Sequence, residues 1–343
     1  MQHYLLVMAK IVVDSGIPFI RDRFPENTEV VYLPGNEFTP EIVKDADAII
    51  VRTRTKCDKN LLEGSNVRLV STATIGTDHI DISWCEKNNI TVRNAPGCNA
   101  PGVAQYVFAS LFKTGFNPEN QTLGIIGYGN VGHVVADWAT QLGIKTLICD
   151  PPRNEKGFQD IVYHDLDYVL KNSDAVTIHV PFTKNGKYPT FGLIGKKELE
   201  QMKCGAILVN SSRGGVVKEK DLKPFLREGK INTIIDVWEY EPEIDGELVN
   251  LASIATPHIA GYSAEGKRRA TQMALKGISS ILDIPVILDG LDCKNPNEIK
   301  ISRKLIEDSY DPIKDHRMLA SDISRFEKIR DHYQYRHEPD LTN

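Results

Sequence analysis

The sequence predicts an α/β protein whose main part is a doubly wound parallel sheet. Three observations predict this fold. Short apolar strand patterns alternate with helical patterns, three glycines at GxGxxG spacing follow one of the strands, and an acidic residue ends the next strand. The chain has 343 residues, of which 41% are hydrophobic, so it is long enough for two domains with a core each.

Residues 1–98 are predicted to form the smaller domain, an α/β domain of the flavodoxin-like type. Its strand patterns lie at residues 10–13, 30–33, 48–51, 67–73 and 91–94. Helices are expected at residues 18–24 and 81–89. A long helical segment at residues 264–282 is expected to return to this domain and complete it.

The stretch LGIIGYGNVGHVVADWATQLGIKTLICD organises the second domain, which is predicted for residues 99–262. An apolar strand leads into Gly127, Gly129 and Gly132, where a helical pattern begins. At this spacing the first glycine permits a tight turn, the second lets the backbone approach a pyrophosphate, and the third lets the helix pack on its strand. The N–H groups of the helix N-terminus favour an anion. The unit therefore predicts a dinucleotide site.

Asp150 closes the second strand of this unit. A carboxylate at that place accepts hydrogen bonds from both ribose hydroxyls of a dinucleotide. A 2′-phosphate would be repelled by it, and Arg153 is the cation near enough in sequence to offset the repulsion. The acid therefore favours NAD over NADP in a Rossmann-type domain.

Four further strand patterns complete the predicted sheet, at residues 175–179, 206–209, 233–237 and 254–255. Together with the first two they make six parallel strands with helices on both faces. In such sheets, ligands bind beyond the carboxyl ends of the strands. Side chains that follow these strands are therefore the candidates for chemistry.

Arg213 follows the strand ILVN within the small residues NSSRGG. Small neighbours leave a planar guanidinium able to bind a carboxylate through two hydrogen bonds. A surface arginine in a glycine turn has the same local sequence, so the role of Arg213 depends on what faces it.

Asp236 ends the strand pattern IID, Glu241 lies in the following loop WEYEPE, and His258 follows the strand pattern ASIAT. All three would face the same cleft as Arg213. A histidine beside a carboxylate is stabilised as imidazolium, which raises its pKa and lets it exchange a proton near neutral pH. Such a group suits a carbinol, whose carbon gives hydride to a nicotinamide while the imidazole takes the hydroxyl proton. A histidine after a proline also fits a purely structural cap.

A cationic loop follows the third strand pattern of the smaller domain and contains Arg52, Arg54 and Lys56. Its place at the carboxyl end of a strand would allow it to hold an anionic substrate. A solvated surface turn fits the same charges, so both interpretations stay open.

Composition excludes several classes of function. The net charge is −5, the pI is near 6 and no sustained basic run occurs, so neither nucleic acid nor an anionic membrane is an expected partner. No apolar run reaches the ~18 residues of a membrane helix, and the start MQHYLLVMAKIVVDSG lacks the basic region and cleavage site of a signal peptide. Six scattered cysteines without a CxxC pair indicate reduced cytoplasmic thiols and no metal site.

Residues 283–343 are predicted to form a C-terminal dimerisation segment. From residue 301 to residue 337 the chain is highly charged with helical spacing, as in DISRFEKIRDHYQYRHE. Its apolar face is narrow, so we expect packing on a partner subunit rather than independent folding.

Five segments together resemble the signature segments of the D-isomer-specific 2-hydroxyacid dehydrogenases. They are GYGNVG, DPP at Asp150, NSSRGGVV, DVWEYEP and PHIAG. Further segments, among them TATIGTDHID and HIAGYSAEGKRRAT, resemble a member of that family that oxidises a phosphorylated four-carbon acid. The resemblance covers residues 8–338, so residues 1–7 are interpreted as an extension or a start-site choice. Its C-terminal part implies a homodimer.

The resemblance also implies NAD as the cofactor and roles for individual residues. Arg213 is the expected clamp on the substrate carboxylate and carbonyl, Glu241 orients the histidine, and His258 is the proton donor. The expected substrate residues are Thr53, Thr74 and Tyr262. The expected NAD residues are Gly127, Gly129, Asn130, Val131, Gly132, Asp150, Val180, Ser211, Ser212, Arg213, Asp236 and Gly261.

Two of these residues depart from the family pattern. Thr53 stands where the pattern has a serine, and Val180 stands where it has a threonine. Thr53 keeps the hydroxyl, whereas Val180 can offer only backbone or apolar contact to a cofactor.

The implied substrate is a small phosphorylated 2-hydroxy acid, whose phosphate needs cations. The hypothesis for these cations is the loop with Arg52, Arg54 and Lys56, and the alternatives are Lys267, Arg268 or the partner subunit's Arg336. Two other functions fit the same fold. One is another D-2-hydroxyacid dehydrogenase, acting on phosphoglycerate, lactate or glyoxylate, and the other is a non-catalytic NADH sensor that binds without turnover.

Overall fold

The computed structural model describes residues 9–158 and 161–340. Residues 1–8, which include the predicted extension, lie outside the described residues. The chain divides into two compact units. The first contains the described residues up to Asn99 together with Ala264–Lys294, and the second contains Ala100–Ser263 with the described residues from Asn295 onwards.

The first unit is built on a sheet of five strands. They are β1 (Ala9–Asp14), β2 (Thr28–Leu33), β3 (Ala48–Val51), β4 (Leu69–Thr72) and β5 (Thr91–Arg93). Their order in the sheet is β2-β1-β3-β4-β5 and every pairing is parallel. This is the flavodoxin-like order, so the predicted class of this part is confirmed.

The second unit is built on a sheet of six strands. They are β6 (Thr122–Ile126), β7 (Lys145–Cys149), β8 (Ala175–Ile178), β9 (Ala206–Asn210), β10 (Ile231–Ile235) and β11 (Ile254–Ala255). All pairings are parallel in the order β11-β10-β9-β8-β6-β7, and Tyr163 adds one bridge beside β7. The predicted doubly wound sheet is confirmed, because the strand order reverses beside β6 as it does in Rossmann folds.

The described residues form fourteen α-helices. The first unit contains α1 (Pro40–Val43), α2 (Lys59–Leu62), α3 (Ile82–Lys87) and, later in the chain, α11 (Ala264–Leu282). The second unit contains α4 (Ala100–Lys113), α5 (Asn130–Gln141), α6 (Pro151–Glu155), α7 (Leu166–Asn172), α8 (Lys196–Leu199), α9 (Glu219–Arg227), α10 (Gly246–Leu251), α12 (Arg303–Ser309), α13 (Pro312–Ser321) and α14 (Phe326–Asp331). Many begin at an aspartate or serine whose side chain accepts a backbone N–H of the first turn, as at Asp58, Asp165 and Ser302.

The prediction of a helix at residues 18–24 is wrong, since turns connect β1 to β2. Phe19 and Asp22 take left-handed backbone conformations with φ of 61° and 59°, and a right-handed helix cannot pass through them. Tertiary contacts hold the segment instead. The guanidinium of Arg23 donates to the carbonyl oxygens of Phe19 at 2.9 Å and Asp289 at 2.7 Å.

Residues 283–294, predicted as part of the C-terminal segment, belong to the first unit. Ile284 and Leu291 are buried in the apolar core that α11 forms with β1. The N–H of Ile287 donates to the carbonyl of Arg23 at 2.9 Å. The segment therefore continues the first unit, because its apolar side chains find their partners there.

Two apolar cores lie on opposite faces of the six-stranded sheet. Helices α4 and α5 cover one face, where Tyr106, Phe108 and Trp138 are fully buried. Helices α7, α8, α9 and α10 contribute buried side chains to the core on the other face. Alternate residues of β6 enter the two cores, as expected for a strand that is covered on both sides.

The C-terminal segment, residues 295–340, packs on the second unit of its own chain. Its apolar side chains enter both cores of that unit: Ile299, Ile301, Ile306 and Tyr310 in one, and Leu319, Phe326 and Ile329 in the other. These apolar residues are divided between two cores and do not form the single narrow face that helical spacing suggested. Packing of the segment on a partner subunit stays a prediction.

Three further observations concern the class of protein. All six cysteines are free, and four of them are buried. Within residues 9–158 and 161–340, no helix combines the length and the apolar character needed to cross a membrane. The same residues contain no group of three or more His, Cys, Asp or Glu side chains placed to hold a metal ion.

Candidate active site

The glycine turn, residues 127–132, joins β6 to α5. Gly127 has a φ of +91°, and a Cβ atom there would lie 2.4 Å from the carbonyl oxygen of His179. A Cβ atom at Gly132 would lie 2.0 Å from the carbonyl oxygen of Gly127. Both positions therefore require glycine, the first for the turn and the second for the packing of α5 on β6.

Helix α5 begins beyond Gly129, which is its N-cap and has no side chain to satisfy the N–H groups of the first turn. A Cβ atom built on Gly129 would meet no described atom within 4 Å. Gly129 and Asn130 are exposed, and Val131 is half-buried. The start of α5 thus combines unsatisfied N–H groups with open space, which fits the pyrophosphate of a dinucleotide.

Asp150 lies directly after β7 and caps α6. Its Oδ1 accepts the N–H of Arg153 at 3.0 Å, and its Oδ2 accepts the N–H of Tyr128 in the glycine turn at 2.7 Å. The carboxylate is therefore held beside the glycine turn, where the sequence predicts an acceptor for the ribose hydroxyls of the dinucleotide. The guanidinium of Arg153 lies over the rings of Tyr128 and Phe158, at 5.5 Å and 4.3 Å from their centroids.

The chain after β8 contributes Val180, whose side chain is half-buried beside the glycine turn. A Cβ atom at Gly127 would lie 2.9 Å from Cγ1 of Val180. Val180, which departs from the family pattern, therefore presents an apolar surface to the glycine turn.

The chain after β9 forms a loop around Asn210. Its Oδ1 accepts the N–H of Ser212 at 3.2 Å and the hydroxyl of Ser212 at 2.8 Å, and its Nδ2 donates to the carbonyl of Arg213 at 3.1 Å. The Nη1 of Arg213 donates to the carbonyl of Ser212 at 2.8 Å. The Oγ of Ser211 is buried and has no hydrogen-bond partner among the described residues, as expected for a group that a ligand satisfies.

Asp236 follows β10 and is 1% exposed. Its Oδ1 accepts the hydroxyl of Thr256 at 2.7 Å and the N–H of Ile259 at 2.8 Å, and its Oδ2 accepts the N–H of Ala260 at 2.9 Å. Burial raises the pKa of Asp236, although these bonds and the charge of His258 act in the opposite direction. Asp236 therefore supports the chain that follows His258.

His258 and Glu241 form the centre of the candidate site. The Nδ1 of His258 lies 2.8 Å from Oε2 of Glu241, and Oε1 of Glu241 accepts the N–H of Trp238 at 3.0 Å. The backbone of His258 has a left-handed conformation, with a φ of 57°. Burial raises the pKa of Glu241, but the hydrogen bond and charge of His258 and the N–H of Trp238 outweigh it, so the pKa is lowered. Glu241 is thus an ionised acceptor, Nδ1 carries a proton, and Nε2 is the nitrogen left for chemistry.

Residues 258–263, here called the histidine loop, continue from His258 through Gly261 to Tyr262. The N–H of Tyr262 donates to the carbonyl of Ile259 at 2.8 Å. The ring of Tyr262 packs edge-on against Tyr333 and Tyr335 of the C-terminal segment, with centroids 5.9 Å and 6.2 Å away. No periodic pattern in the sequence predicts these two contacts.

Thr53 and Thr74 lie in the first unit. Thr53 is exposed in the turn after β3, and Thr74 is half-buried after β4. The hydroxyl of Thr74 donates to the carbonyl of Gly76 at 3.0 Å and lies 2.8 Å from the hydroxyl of Thr72. Both residues therefore follow the carboxyl ends of parallel strands, as the sequence predicted.

A family model described as D-isomer specific 2-hydroxyacid dehydrogenase, NAD binding domain, matches residues 103–260. An erythronate-4-phosphate dehydrogenase from Bacteroides fragilis is 43% identical over 339 residues, which cover 96% of this chain and 97% of the relative. An enzyme of the same name from Escherichia coli is 39% identical over 348 residues, which cover 96% and 92%. The chain belongs to the erythronate-4-phosphate dehydrogenase branch of the D-isomer specific 2-hydroxyacid dehydrogenase family.

Solved structures agree with this family. The NAD⁺-bound 3-phosphoglycerate dehydrogenase of Entamoeba histolytica is 28% identical, with a TM-score of 0.65 over 80% of this chain and 94% of its own. The D-lactate dehydrogenase of Aquifex aeolicus, complexed with NAD and lactic acid, is 26% identical, with a TM-score of 0.64 over 80% and 95%. This chain is an NAD-dependent dehydrogenase, and the predictions of family, enzyme class and cofactor are confirmed.

Proposed function

We propose that this chain oxidises 4-phospho-D-erythronate to (R)-3-hydroxy-2-oxo-4-phosphobutanoate, with NAD⁺ as the hydride acceptor, in pyridoxal 5′-phosphate biosynthesis. The pair of His258 and Glu241, 2.8 Å apart, carries this proposal, because oxidation of a hydroxyl requires a proton acceptor. The identity of the substrate is supported by the names of relatives that match nearly the whole chain.

The proposed proton acceptor is Nε2 of His258. Because the Glu241 carboxylate accepts the Nδ1 proton, Nε2 has a lone pair for the substrate hydroxyl, and the same carboxylate stabilises the imidazolium that results. NAD⁺, which the glycine turn and Asp150 would hold, would supply the acceptor for the hydride from the carbon that bears the hydroxyl. The substrate thus loses one proton and one hydride, and its C–O bond becomes a carbonyl. In the reverse direction His258 is the proton donor.

Arg213 is the proposed clamp on the substrate carboxylate and the forming carbonyl. Its loop is fixed by Asn210, and its own Nη1 bond to the carbonyl of Ser212 limits the positions of the guanidinium plane. A guanidinium held in this way can bind a carboxylate through two parallel hydrogen bonds. Clamping orients the carbon that gives up hydride.

The remaining roles are proposed from the resemblance and from position. Thr53, Thr74 and Tyr262 are the proposed substrate residues. The proposed NAD residues are Gly127, Gly129, Asn130, Val131, Gly132, Asp150, Val180, Ser211, Ser212, Arg213, Asp236 and Gly261. The buried Oγ of Ser211 and the open space beside Gly129 support this assignment.

For the substrate phosphate we propose the exposed cations Arg54 and Lys56 of the loop after β3. Lys56 is paired with Asp58 at 2.8 Å on the surface, and such a pair exchanges partners readily. Arg52 has a different task. Its Nε lies 3.0 Å from Oδ2 of Asp14, which is fully buried, so its charge compensates a carboxylate that would otherwise be buried alone.

Turnover of a panel of acids tests the proposed function. We expect kcat/KM for 4-phospho-D-erythronate to exceed that for unphosphorylated D-erythronate by at least about 100-fold, or ~2.7 kcal/mol. Preference for 3-phosphoglycerate, D-lactate or glycolate would instead identify another dehydrogenase of the family. NADH binding without turnover of any acid would identify a sensor.

Substitution of the two cations tests where the substrate phosphate binds. In Arg54→Ala and Lys56→Ala we expect KM for the phosphorylated acid to rise about tenfold each, as expected for a charge-assisted hydrogen bond, with no change for D-erythronate. Thr39→Ala, outside the cationic loop, is the control. An unchanged KM in both variants would place the phosphate elsewhere, for example at Lys267 or Arg268.

We also propose a cytoplasmic homodimer. The resemblance of the C-terminal segment supports the dimer, and the six free cysteines support a reducing compartment. Sedimentation equilibrium tests the first point, because one chain has a mass of 38.4 kDa. A single species of that mass at assay concentration would contradict the dimer.

A further inference from the structure

Arg336, in the C-terminal segment, is a charged side chain in the protein interior, with 8% of its surface exposed. Its guanidinium uses all five of its N–H donors. Nε donates to Gln105 Oε1 at 2.9 Å, Nη1 donates to the carbonyl of Ile259 at 3.1 Å and the hydroxyl of Tyr333 at 3.2 Å, and Nη2 donates to the carbonyls of Gly102 at 3.0 Å and of Ala260. This complete set of partners explains how the charge can be buried.

Two of these acceptors, the carbonyls of Ile259 and Ala260, belong to the two residues directly after His258. The N–H groups of the same two residues donate to Asp236. The peptide groups after His258 are therefore held from both sides, by a carboxylate on their N–H groups and by a guanidinium on their carbonyl groups. Both charged partners are buried, where such bonds are stronger than in water.

His258 needs this support more than an ordinary loop residue does. Its φ of 57° is a left-handed conformation that costs a residue with a Cβ atom ~1 kcal/mol. A loop released on one side could relax to a right-handed conformation and turn the imidazole away from Glu241. The contact between Nδ1 and Oε2, 2.8 Å long, would then be lost.

Neighbouring contacts show that the C-terminal segment follows the histidine loop to its end. Ser263 forms a backbone bridge with Arg336, and its hydroxyl donates to Glu338 at 2.6 Å. Tyr333 and Tyr335 pack on the ring of Tyr262. The guanidinium of Arg336 itself stacks on Tyr310, 4.3 Å from the ring centroid.

We propose that Arg336 is a positioning residue for His258, and that the C-terminal segment thereby completes the active site of its own chain. The proposal deepens the proposed function, since it rests on His258 as the proton-transfer group. It also assigns Arg336 a task in its own chain, so the use of the partner subunit's Arg336 as a phosphate ligand is not part of the proposal.

The test compares Arg336→Lys with Arg303→Lys. Lysine keeps the charge but presents a single ammonium in place of the planar fork, so it cannot hold both carbonyls and Gln105 together. Arg303 is a matched control in the same segment, because it pairs with Glu307 at 3.0 Å and stacks on Phe112 without contacting the histidine loop. NADH titration gives the number of folded sites, so that kcat is expressed per site.

The first readout is the Nδ1–H proton of His258 in the NMR spectrum of the apoprotein, assigned by its disappearance in His258→Asn. We expect it to be sharp in the wild-type protein and in Arg303→Lys, and lost in Arg336→Lys. The second readout is turnover of 4-phospho-D-erythronate. We expect kcat of Arg336→Lys to fall at least about tenfold, because displacement of a catalytic group by about 1 Å costs up to ~100-fold. Its NADH affinity should stay within about twofold.

A wild-type resonance and wild-type kcat in Arg336→Lys would overturn the proposal. If that variant binds no NADH, Tyr333→Phe decides instead, since it removes one acceptor of Arg336 and keeps the ring against Tyr262. An unchanged resonance and kcat in Tyr333→Phe would then overturn it. If the wild-type protein turns over no acid, the proposed function fails, and the NMR comparison still tests whether Arg336 orients His258.

Discussion

The glycine turn and the histidine loop both lie beyond strands of the six-stranded sheet, yet opposite means hold them in place. The glycine turn depends on missing side chains, because a Cβ atom at Gly127 would lie 2.4 Å from a carbonyl oxygen. The histidine loop depends on side chains from distant parts of the chain, chiefly Asp236 and Arg336. One region is set by close contacts of its backbone and the other by polar contacts of side chains.

The two regions should therefore respond differently to substitution. A change at Gly127 or Gly132 alters the backbone that faces the cofactor, so it should affect NADH binding and stability together. A change at His258, Glu241 or Arg336 should affect proton transfer while NADH still binds. The following substitutions test this separation, beginning with the largest expected effect.

Replacement of His258 by asparagine removes the proton acceptor without adding bulk. We expect kcat to fall ~100-fold to ~10,000-fold, the usual contribution of general acid–base catalysis, with NADH affinity unchanged within about twofold. Steady-state kinetics and fluorescence titration with NADH measure the two quantities. A variant with wild-type kcat would remove His258 from the mechanism.

Gly127→Ala tests whether the glycine turn leaves no room for a side chain. The new methyl group meets the carbonyl of His179, and the φ of +91° is strained for alanine, so we expect a loss of ~2–3 kcal/mol in stability and weaker NADH binding by more than about tenfold. Gly129→Ala is the matched control, since its Cβ atom meets no described atom. It should weaken NADH binding and leave the melting temperature unchanged. Equal melting temperatures for both variants would contradict the steric account.

Glu241→Gln tests whether the carboxylate orients His258. The amide can keep one hydrogen bond but loses the charge that stabilises the imidazolium, so we expect kcat to fall about tenfold at constant KM for NAD⁺. Glu243→Gln, close in sequence and exposed, is the control. A fall in NADH affinity as large as the fall in kcat would show that the two regions are not separable in this way.

The smallest effect concerns a support of the loop that carries Glu241. Glu219 Oε1 accepts the N–H of Glu239 at 2.7 Å, and Glu239 Oε1 accepts the N–H of Glu219 at 2.8 Å. Burial, with the charge of Glu239, raises the pKa of Glu219 to about 7. Since this folded-state pKa lies above the ordinary value of 4.5, the associated stability is present below about pH 4.5 and is lost as pH rises through 7.

Glu219→Gln keeps an acceptor for Glu239 and cannot ionise. We therefore expect the melting temperature of the variant to match the wild type at pH 5 and to exceed it by about 2–4 °C at pH 8.5, which corresponds to ~1 kcal/mol. Calorimetry at the two pH values measures this. A variant that is equally or less stable than the wild type at pH 8.5 would show that ionisation of Glu219 does not destabilise the folded protein.

The sequence was sufficient for the parts of this fold that local patterns determine. Apolar runs predicted the strands of both sheets, and the spacing of Gly127, Gly129 and Gly132 predicted the turn, because each of these features depends on neighbours in the chain. The predicted helix at residues 18–24 failed where tertiary contacts hold Phe19 and Asp22 in left-handed conformations.

The candidate site was predicted only in part. Arg213, Glu241 and His258 could be found because they follow strand patterns and match family segments. Arg336 could not be assigned its contacts, since its acceptors lie at residues 102, 105, 259, 260 and 333 and nothing in the local pattern QYRHE links them. A buried arginine with five partners becomes visible only when the tertiary structure is known.

The contacts of Arg336 also have a consequence for synthesis on the ribosome. Residues 123–180 leave the ribosome early and contain the glycine turn together with the His179 carbonyl that Gly127 packs against, whereas the guanidinium that holds Ile259 and Ala260 is translated well after them. At ~5–20 residues per second, a nascent chain spends several seconds with its cofactor turn complete and its histidine unsupported. Newly made chains should therefore acquire the ability to bind NADH before they acquire the ability to catalyse.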